Sequence, residues 1–400
     1  MPTPERSLTS ISPANWDRAA ACASIPDTLK LMATVERAAG GPADGSLPLR
    51  ELTASTLATA RNLVLLIIDG LGSEYLAHAS PGGPLSNNRL CDLRSVCPAT
   101  TAAAVTTFFT GQSPASHGLL GWFTPFEARD EVVLPLLARV RNGRALPADD
   151  LATLYRSPPL AARLARDCHV VTARRLVGSA YTRQHAGPAT VHGYRSLTGM
   201  FGLLERLLRA DGPPRYIHAY WPELDHLGHE RGIGHRRTRE HLRDIEAQLG
   251  RFLKAVAGTN ATVLVTSDHG FVDIAPDHAL LLNDRPQIMQ RLRLPLAGES
   301  RLAFVHAKPG EGDALGVELA DFLDGRATIH DGQQFIDAGF LGPGEPHPAL
   351  AQRVGDFVIA MAHGWTLRDR LPGETPFSPV GVHGGLSEAE RRVPLAVFET

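Results

Sequence analysis

Residues 62–68, Asn-Leu-Val-Leu-Leu-Ile-Ile, form an unbroken aliphatic run. With no polar alternation, such a run reads as a strand covered on both faces of a parallel sheet. It stops at Asp69-Gly70. The pattern returns at 261–267, closing on Asp268-His269-Gly270, and more weakly at 216–220, with Asp225 five residues beyond. Three strands therefore deliver an acid at or just past their C-terminal ends, the edge where the loops of an open α/β sheet converge on a ligand. Between them lie stretches of helical composition: 101–111 after Pro98, 196–212, and an amphipathic stretch from Thr238 to Val256. Strand and helix alternate, which predicts an α/β fold.

Two regions interrupt the rhythm. Residues 124–195 scatter short apolar clusters among Pro and Arg, leaving room for a lid over the sheet edge. Residues 275–355 contain a short strand (301–307), a helix (316–325) and a loop rich in Gly and Pro, before the apolar rhythm resumes at 356–362. The chain accordingly divides into an N-terminal extension over 1–55 packing on the core, an α/β core over 56–274 and 356–400, and a small inserted cap over 275–355.

Composition narrows the choice of partners. Hydrophobic residues make up 43% of the 400 positions and charged residues 20%, as in an ordinary globular chain. Forty basic residues balance 42 acidic ones, for a net charge of -2, so a nucleic-acid polymer is not the expected partner. The lysines Lys30, Lys254 and Lys308 each follow Leu or Ala, and a Walker A loop needs Gly-Lys. The four cysteines form no CxxC pair, and the first 25 residues carry no apolar leader. No run of 18 apolar residues occurs either, so the expectation is a cytoplasmic chain without a membrane partner. Gly70-Leu71-Gly72 begins like a dinucleotide loop, but Tyr75 stands where the third glycine belongs. A non-catalytic nucleotide-binding protein has that turn as its support, and it leaves the acids and histidines below unexplained.

Those residues carry the candidate chemistry. Asp225 and His229 are four apart, so one helical turn aims both at a common cation. Asp268 and His269 directly follow a buried strand, where an acid and an imidazole are costly to bury without a compensating cation. His383 lies in the glycine-rich stretch 381–385, and Thr100-Thr101 stands at the start of an Ala-rich helix, where free N–H groups favour an anion.

Taken in order, Asp69, Thr101, Asp225 with His229, Asp268 with His269, and His383 resemble the alkaline phosphatase superfamily, in particular its nucleotide pyrophosphatase/phosphodiesterase-like branch. The resemblance spans about residues 60–125, 215–275 and 355–398, including the tail from His383 to Phe398. It implies an αβα sandwich of three layers with a mostly parallel central sheet. It also implies a two-metal phosphoesterase, with Asp225, His229 and His383 on one divalent ion and Asp69, Asp268 and His269 on the other. Thr101, favoured over Thr100 by its distance to Thr110-Gly111, would be the nucleophile, bound at the second ion and passing through a phosphothreonine. The mixed N/O ligands suit Zn²⁺, with Mn²⁺ or Fe compatible. The implied substrate is a small phosphodiester or pyrophosphate of nucleotide type, and the alternative is a phosphomonoester or phosphonate. The resemblance departs at Ala104, where the branch is expected to carry an asparagine that binds a phosphoryl oxygen.

Overall fold

The computed structural model describes residues 26–42, 47–375 and 378–400, so the first 25 residues of the N-terminal extension lie outside the described residues. The elements that position the site are α1 (Thr28–Ala38), β1 (Asn62–Ile68), β2 (Arg89–Arg94), α2 (Thr101–Thr110), β3 (Asp167–Ala173), β4 (Thr190–Tyr194), α3 (Leu197–Arg209) and β5 (Arg215–Trp221). They continue with α4 (Glu223–Arg231), α5 (Arg236–Ala255), β6 (Ala261–Thr266), β7 (Ala297–Gly298), β8 (Leu302–Val305), α6 (Gly312–Leu323), β9 (Ala327–Asp331), β10 (Phe357–Met361) and β11 (Arg392–Glu399).

The central sheet has seven strands in the order β2-β11-β6-β1-β5-β3-β4. β1 runs parallel to both β5 and β6, and β3 parallel to β5 and β4; only β11 is antiparallel to its neighbours. All seven residues of β1 are buried, as the unalternating run requires. Val64, Leu66 and Ile68 pack with Met200, Phe201 and Leu204 of α3 and Leu242, Ile245 and Leu249 of α5. Leu63, Leu65 and Ile67 pack on the opposite face with Leu31, Met32 and Val35 of α1 and Phe108 of α2. Each such side chain contributes about 1.5–3 kcal/mol by leaving water, and the two apolar faces force helices onto both sides. The result is the three-layer αβα sandwich.

Two segments differ from the sequence expectation. The interval 124–195 holds two strands of the central sheet, β3 and β4, beside a small antiparallel sheet of three strands (Thr124–Phe126, Glu131–Leu134 and Arg139–Val140) and two short helices (Ala148–Leu154 and Ala180–Ala186). Cys168 and His169 interrupt the apolar run of β3, and β4 is an edge strand with little buried surface, so neither shows the aliphatic signature of β1. Phe357–Met361, which reads as the return to the core, pairs instead with β8 and β9 in a second, antiparallel sheet ordered β7-β8-β10-β9. A buried strand has the same pattern in either sheet, and only its partners distinguish them. α6 covers one face of this small sheet through Leu315, Leu319 and Leu323. The other face meets Cys97 and Leu120 beside the start of α2.

A buried ion pair ties this sheet to the C-terminal loop. Arg301, 1% exposed, donates from Nε and Nη2 to Glu390 at 3.1 and 2.9 Å, and from Nη1 to the Ala362 and Trp365 carbonyls. Glu390 in turn accepts from Gly385 N and Ser387 Oγ, two and four residues beyond His383. Among the described residues no helix is long and apolar enough to cross a membrane.

Candidate metal centre

The sheet topology brings the acids together. β5, β1 and β6 are adjacent and parallel, so Asp69, Asp225 and Asp268 leave the same sheet edge. Gly70 makes the turn after β1 with a φ of 78°, and a Cβ there would fall 2.5 Å from the Phe271 ring. Only glycine fits. The Phe271 ring meets His229, His269 and His383 at centroid distances of 5.1, 5.7 and 5.3 Å, forming a common apolar backing for the three imidazoles.

The residues form two triads. In the first, Asp225 Oδ1 lies 3.4 Å from His229 Nε2 and 3.7 Å from His383 Nε2, and the two imidazole nitrogens are 3.2 Å apart. In the second, His269 Nε2 lies 3.3 Å from Asp69 Oδ1 and 3.4 Å from Asp268 Oδ2. Within each triad all ligand atoms lie within 4.8 Å of one another. The His269 and His383 rings stack at 3.7 Å, so the triads share a wall.

The surrounding hydrogen bonds orient these atoms. His229 Nδ1–H donates to the Gly381 carbonyl at 2.8 Å and His269 Nδ1–H to the Gly270 carbonyl at 3.1 Å, which leaves each Nε2 with a lone pair facing its triad. Asp268 Oδ1 accepts from the backbone N–H groups of Gly70 and His269, at 3.1 and 3.0 Å, and Tyr220 OH donates to Asp69 Oδ2. Asp69 Oδ1, Asp225 Oδ1 and Asp268 Oδ2 remain, buried and without a hydrogen-bond partner. Three inward-facing carboxylate oxygens beside imidazole lone pairs are unfavourable unless a cation lies between them. The donor set therefore fits divalent metal ions, held in two groups.

The electrostatics agree. Burial, reinforced by Asp225 and Asp268, pushes the Asp69 carboxyl well above its usual range. Burial likewise pushes Asp225 up to about 7. His383 is held well below the ordinary imidazole value by burial and by His269 and His229.

Thr101 is the first residue of α2, and its Oγ1 lies 3.1 Å from His269 Nε2. The neighbouring Thr100 has extended backbone and no capping bond; its hydroxyl donates instead to Glu299 Oε1 at 2.5 Å. Of the two threonines, Thr101 is the one against the second triad. Ala104, by contrast, is completely buried and packs with Val96, Ala103 and Leu29. The alanine at this position therefore offers a phosphoryl oxygen no side-chain donor. Sequence reasoning also missed Glu299, whose turn carries no motif, and Tyr220 and Phe271, which look like ordinary core aromatics.

A mostly parallel αβα sandwich with two carboxylate–imidazole triads at the C-terminal edge of its strands defines a protein of the alkaline phosphatase superfamily. The chain belongs to the type I phosphodiesterase/nucleotide pyrophosphatase family, whose model matches residues 63–386. It is thus a phosphoesterase of a divalent-metal-dependent family. No curated protein matches. Among solved structures, murine ectonucleotide pyrophosphatase/phosphodiesterase 5 is similar, with 18% identity, a TM-score of 0.64, and coverage of 84% of this chain and 87% of that one. An inactive threonine-to-alanine variant of that murine protein, in complex with AMP, aligns at 17% identity and a TM-score of 0.65, with the same coverage. Phosphonoacetate hydrolase from Sinorhizobium meliloti, in complex with phosphonoformate, aligns at 17% identity and a TM-score of 0.61, covering 85% of this chain and 90% of that one.

Proposed function

We propose that the chain hydrolyses a phosphodiester or pyrophosphate bond in a small, nucleotide-like substrate, with Thr101 as nucleophile. The observation that supports this most directly is the Thr101 hydroxyl, set against the second of two facing ligand triads. Asp225, His229 and His383 would hold one divalent ion, and Asp69, Asp268 and His269 the other, with Zn²⁺ the best match to the mixed N/O donors. Such ions lower the pKa of a hydroxyl and neutralise charge developing on phosphoryl oxygens.

The chain's own groups supply the rest. The free N–H groups at the start of α2 and its dipole favour an anionic phosphoryl group beside Thr101. Attack by Thr101 Oγ1 forms the Oγ–P bond as the P–O bond to the leaving alcohol or phosphate breaks. The threonine proton passes to solvent and the leaving oxygen takes one from water. Water then displaces Thr101 from phosphorus, so one water is consumed and the free hydroxyl is restored. Tyr220 and the Gly270 and Gly381 carbonyls hold the ligands in place throughout. The AMP complex of the murine neighbour supports a nucleotide-like substrate. The phosphonoformate complex of the bacterial neighbour keeps a phosphonate as the second reading.

Elemental analysis paired with hydrolysis of bis-p-nitrophenyl phosphate tests the proposal. Two metal ions per chain and cleavage abolished by chelator are expected. A protein that takes up no metal after Zn²⁺ or Mn²⁺ reconstitution would sink it.

A further inference from the structure

We propose that the protein carries a second ligand site, outside both triads, which takes a small organic anion: one oxyanion head group on an apolar body of about the size of a substituted benzene ring. The site is a cleft of about 350 Å³, within the range of small-molecule pockets. It stands apart from the phosphoesterase reading, since no triad residue and neither Thr100 nor Thr101 lines it.

The cleft is built from chain that has just left the metal ligands. The helix Ser73–Ala79, which follows Asp69, supplies Tyr75, and the loop between α4 and α5 supplies Ile233. Val272 and Asp273 follow His269, and Ala389 follows His383. Asp273 fastens these pieces together: its two carboxylate oxygens accept from Ile233 N at 2.8 Å and Gly234 N at 3.2 Å, and its backbone pairs with Gly381 as Val272 pairs with Val382. The cleft is therefore framed by anchored segments. Phe271, which backs the three imidazoles, also lines it, so the two sites share that residue and no metal ligand.

Tyr75 and Arg239 set the ligand class. The Tyr75 hydroxyl is buried and has no hydrogen-bond partner among the described residues. A buried donor without an acceptor is unfavourable, and a ligand oxygen would relieve it. Burial raises the phenol above its ordinary value, so it keeps its proton and donates at neutral pH. Arg239 enters from the start of α5, exposed, and its guanidinium takes part in no hydrogen bond or ion pair among the described residues. Of the charges that act on the hydroxyl, Arg239 and Arg243 outweigh Asp273. Asp273 has both oxygens engaged by N–H groups, and Glu74, the other acid of the lining, is exposed. An oxyanion head group therefore finds a neutral donor and a cationic fork in one place, whereas an ammonium would face Arg239. Ile233, Phe271, Val272 and Ala389 add apolar surface, which an organic body covers and a bare inorganic anion leaves wet.

The probe is p-toluenesulfonate, which has this shape and whose sulfonate is a weak ligand for metal ions. Calorimetry on the metal-loaded parent should show binding, and methyl p-tolyl sulfone, a neutral molecule of the same shape, should bind at least about tenfold more weakly. Tyr75→Phe and Arg239→Met should each weaken p-toluenesulfonate at least about fivefold, with metal content at the parental value, since neither residue belongs to a triad. Thr101→Ala should leave the affinity as in the parent, which separates the cleft from the metal centre. No binding to the parent at millimolar probe, equal binding of the neutral sulfone, or an affinity indifferent to both Tyr75→Phe and Arg239→Met would each overturn the proposal. The sulfone comparison uses the parent alone, so it decides the ligand class even if a variant does not fold.

Discussion

The stability of the metal-free protein should fall as pH rises, and the buried carboxylates set the size of the effect. Asp225 is raised from 3.8 to about 7 by burial among other acids, and Asp69 is raised in the same direction. For a carboxyl whose folded pKa lies above its unfolded one, the folded state holds the extra proton between the two values. The penalty is absent below about pH 4, grows through the window, and is complete above about pH 7. At about 1.36 kcal/mol per pKa unit, Asp225 alone amounts to about 4 kcal/mol. An unfolding entropy of about 2.1 cal/mol/K per residue gives about 0.8 kcal/mol/K for this chain, so the melting temperature should drop by about 5 °C. A divalent cation at a hundred times its Kd restores about 2.7 kcal/mol per site, or about 3 °C, and its affinity should rise with pH because protons compete for the same oxygens. The assay is thermal unfolding between pH 4 and 8, with chelator and with Zn²⁺ or Mn²⁺, on the parent and on Asp225→Asn. The parent minus variant difference reports this carboxyl together with its coupling to Asp69 and removes the titrations that Asp225 does not touch. A difference that is flat with pH, or a melting temperature indifferent to divalent ions, would refute the claim that these oxygens face one another unpaired.

Other consequences are more direct. Thr101→Ala should reduce kcat by at least about a thousandfold while metal content by elemental analysis stays near the parental value; retained turnover would remove Thr101 from the nucleophile role. Ala104→Asn should cost about 1–3 kcal/mol in denaturant unfolding, because the alanine is fully buried with Val96 and Leu29 and leaves no room for an amide. Arg301→Met leaves Glu390 buried and unpaired, so about 3–5 kcal/mol of stability should be lost. Metal affinity should weaken with it, since Glu390 holds the loop after His383; unchanged affinity would show that the loop is ordered without this pair. Gly70→Ala, placed at positive φ against Phe271, should destabilise by more than about 1 kcal/mol and lower metal occupancy together.

Much of this protein is legible in linear order because its signals are local. The apolar runs of β1 and β6 need no partner to declare themselves, since a strand buried on both faces keeps its middle apolar and admits polar residues such as Asn62, Thr262 and Thr266 toward its ends. The acids that follow them stand at fixed distances from those runs, and with Thr101, His229 and His383 they compose an ordered set that a reader can assemble before any contact is known. What the linear order leaves open is pairing. β3 and β4 are too polar or too exposed to announce a sheet strand, and β10 reads identically whether it joins the central sheet or the small one. Register and neighbours decided both. Burial was equally undetermined: Ala104, one turn along α2 from the partly exposed Thr101, is completely buried. Glu299 reaches Thr100 from almost two hundred residues away, through a docked turn with no motif of its own. Which chemical groups are available and which strands can carry them follow from the linear order, because hydrophobic periodicity and residue type are written position by position. Which oxygens are left without a donor and which hydroxyl meets a triad follow from the folded arrangement alone, because these depend on distances between segments that share no neighbourhood in the chain.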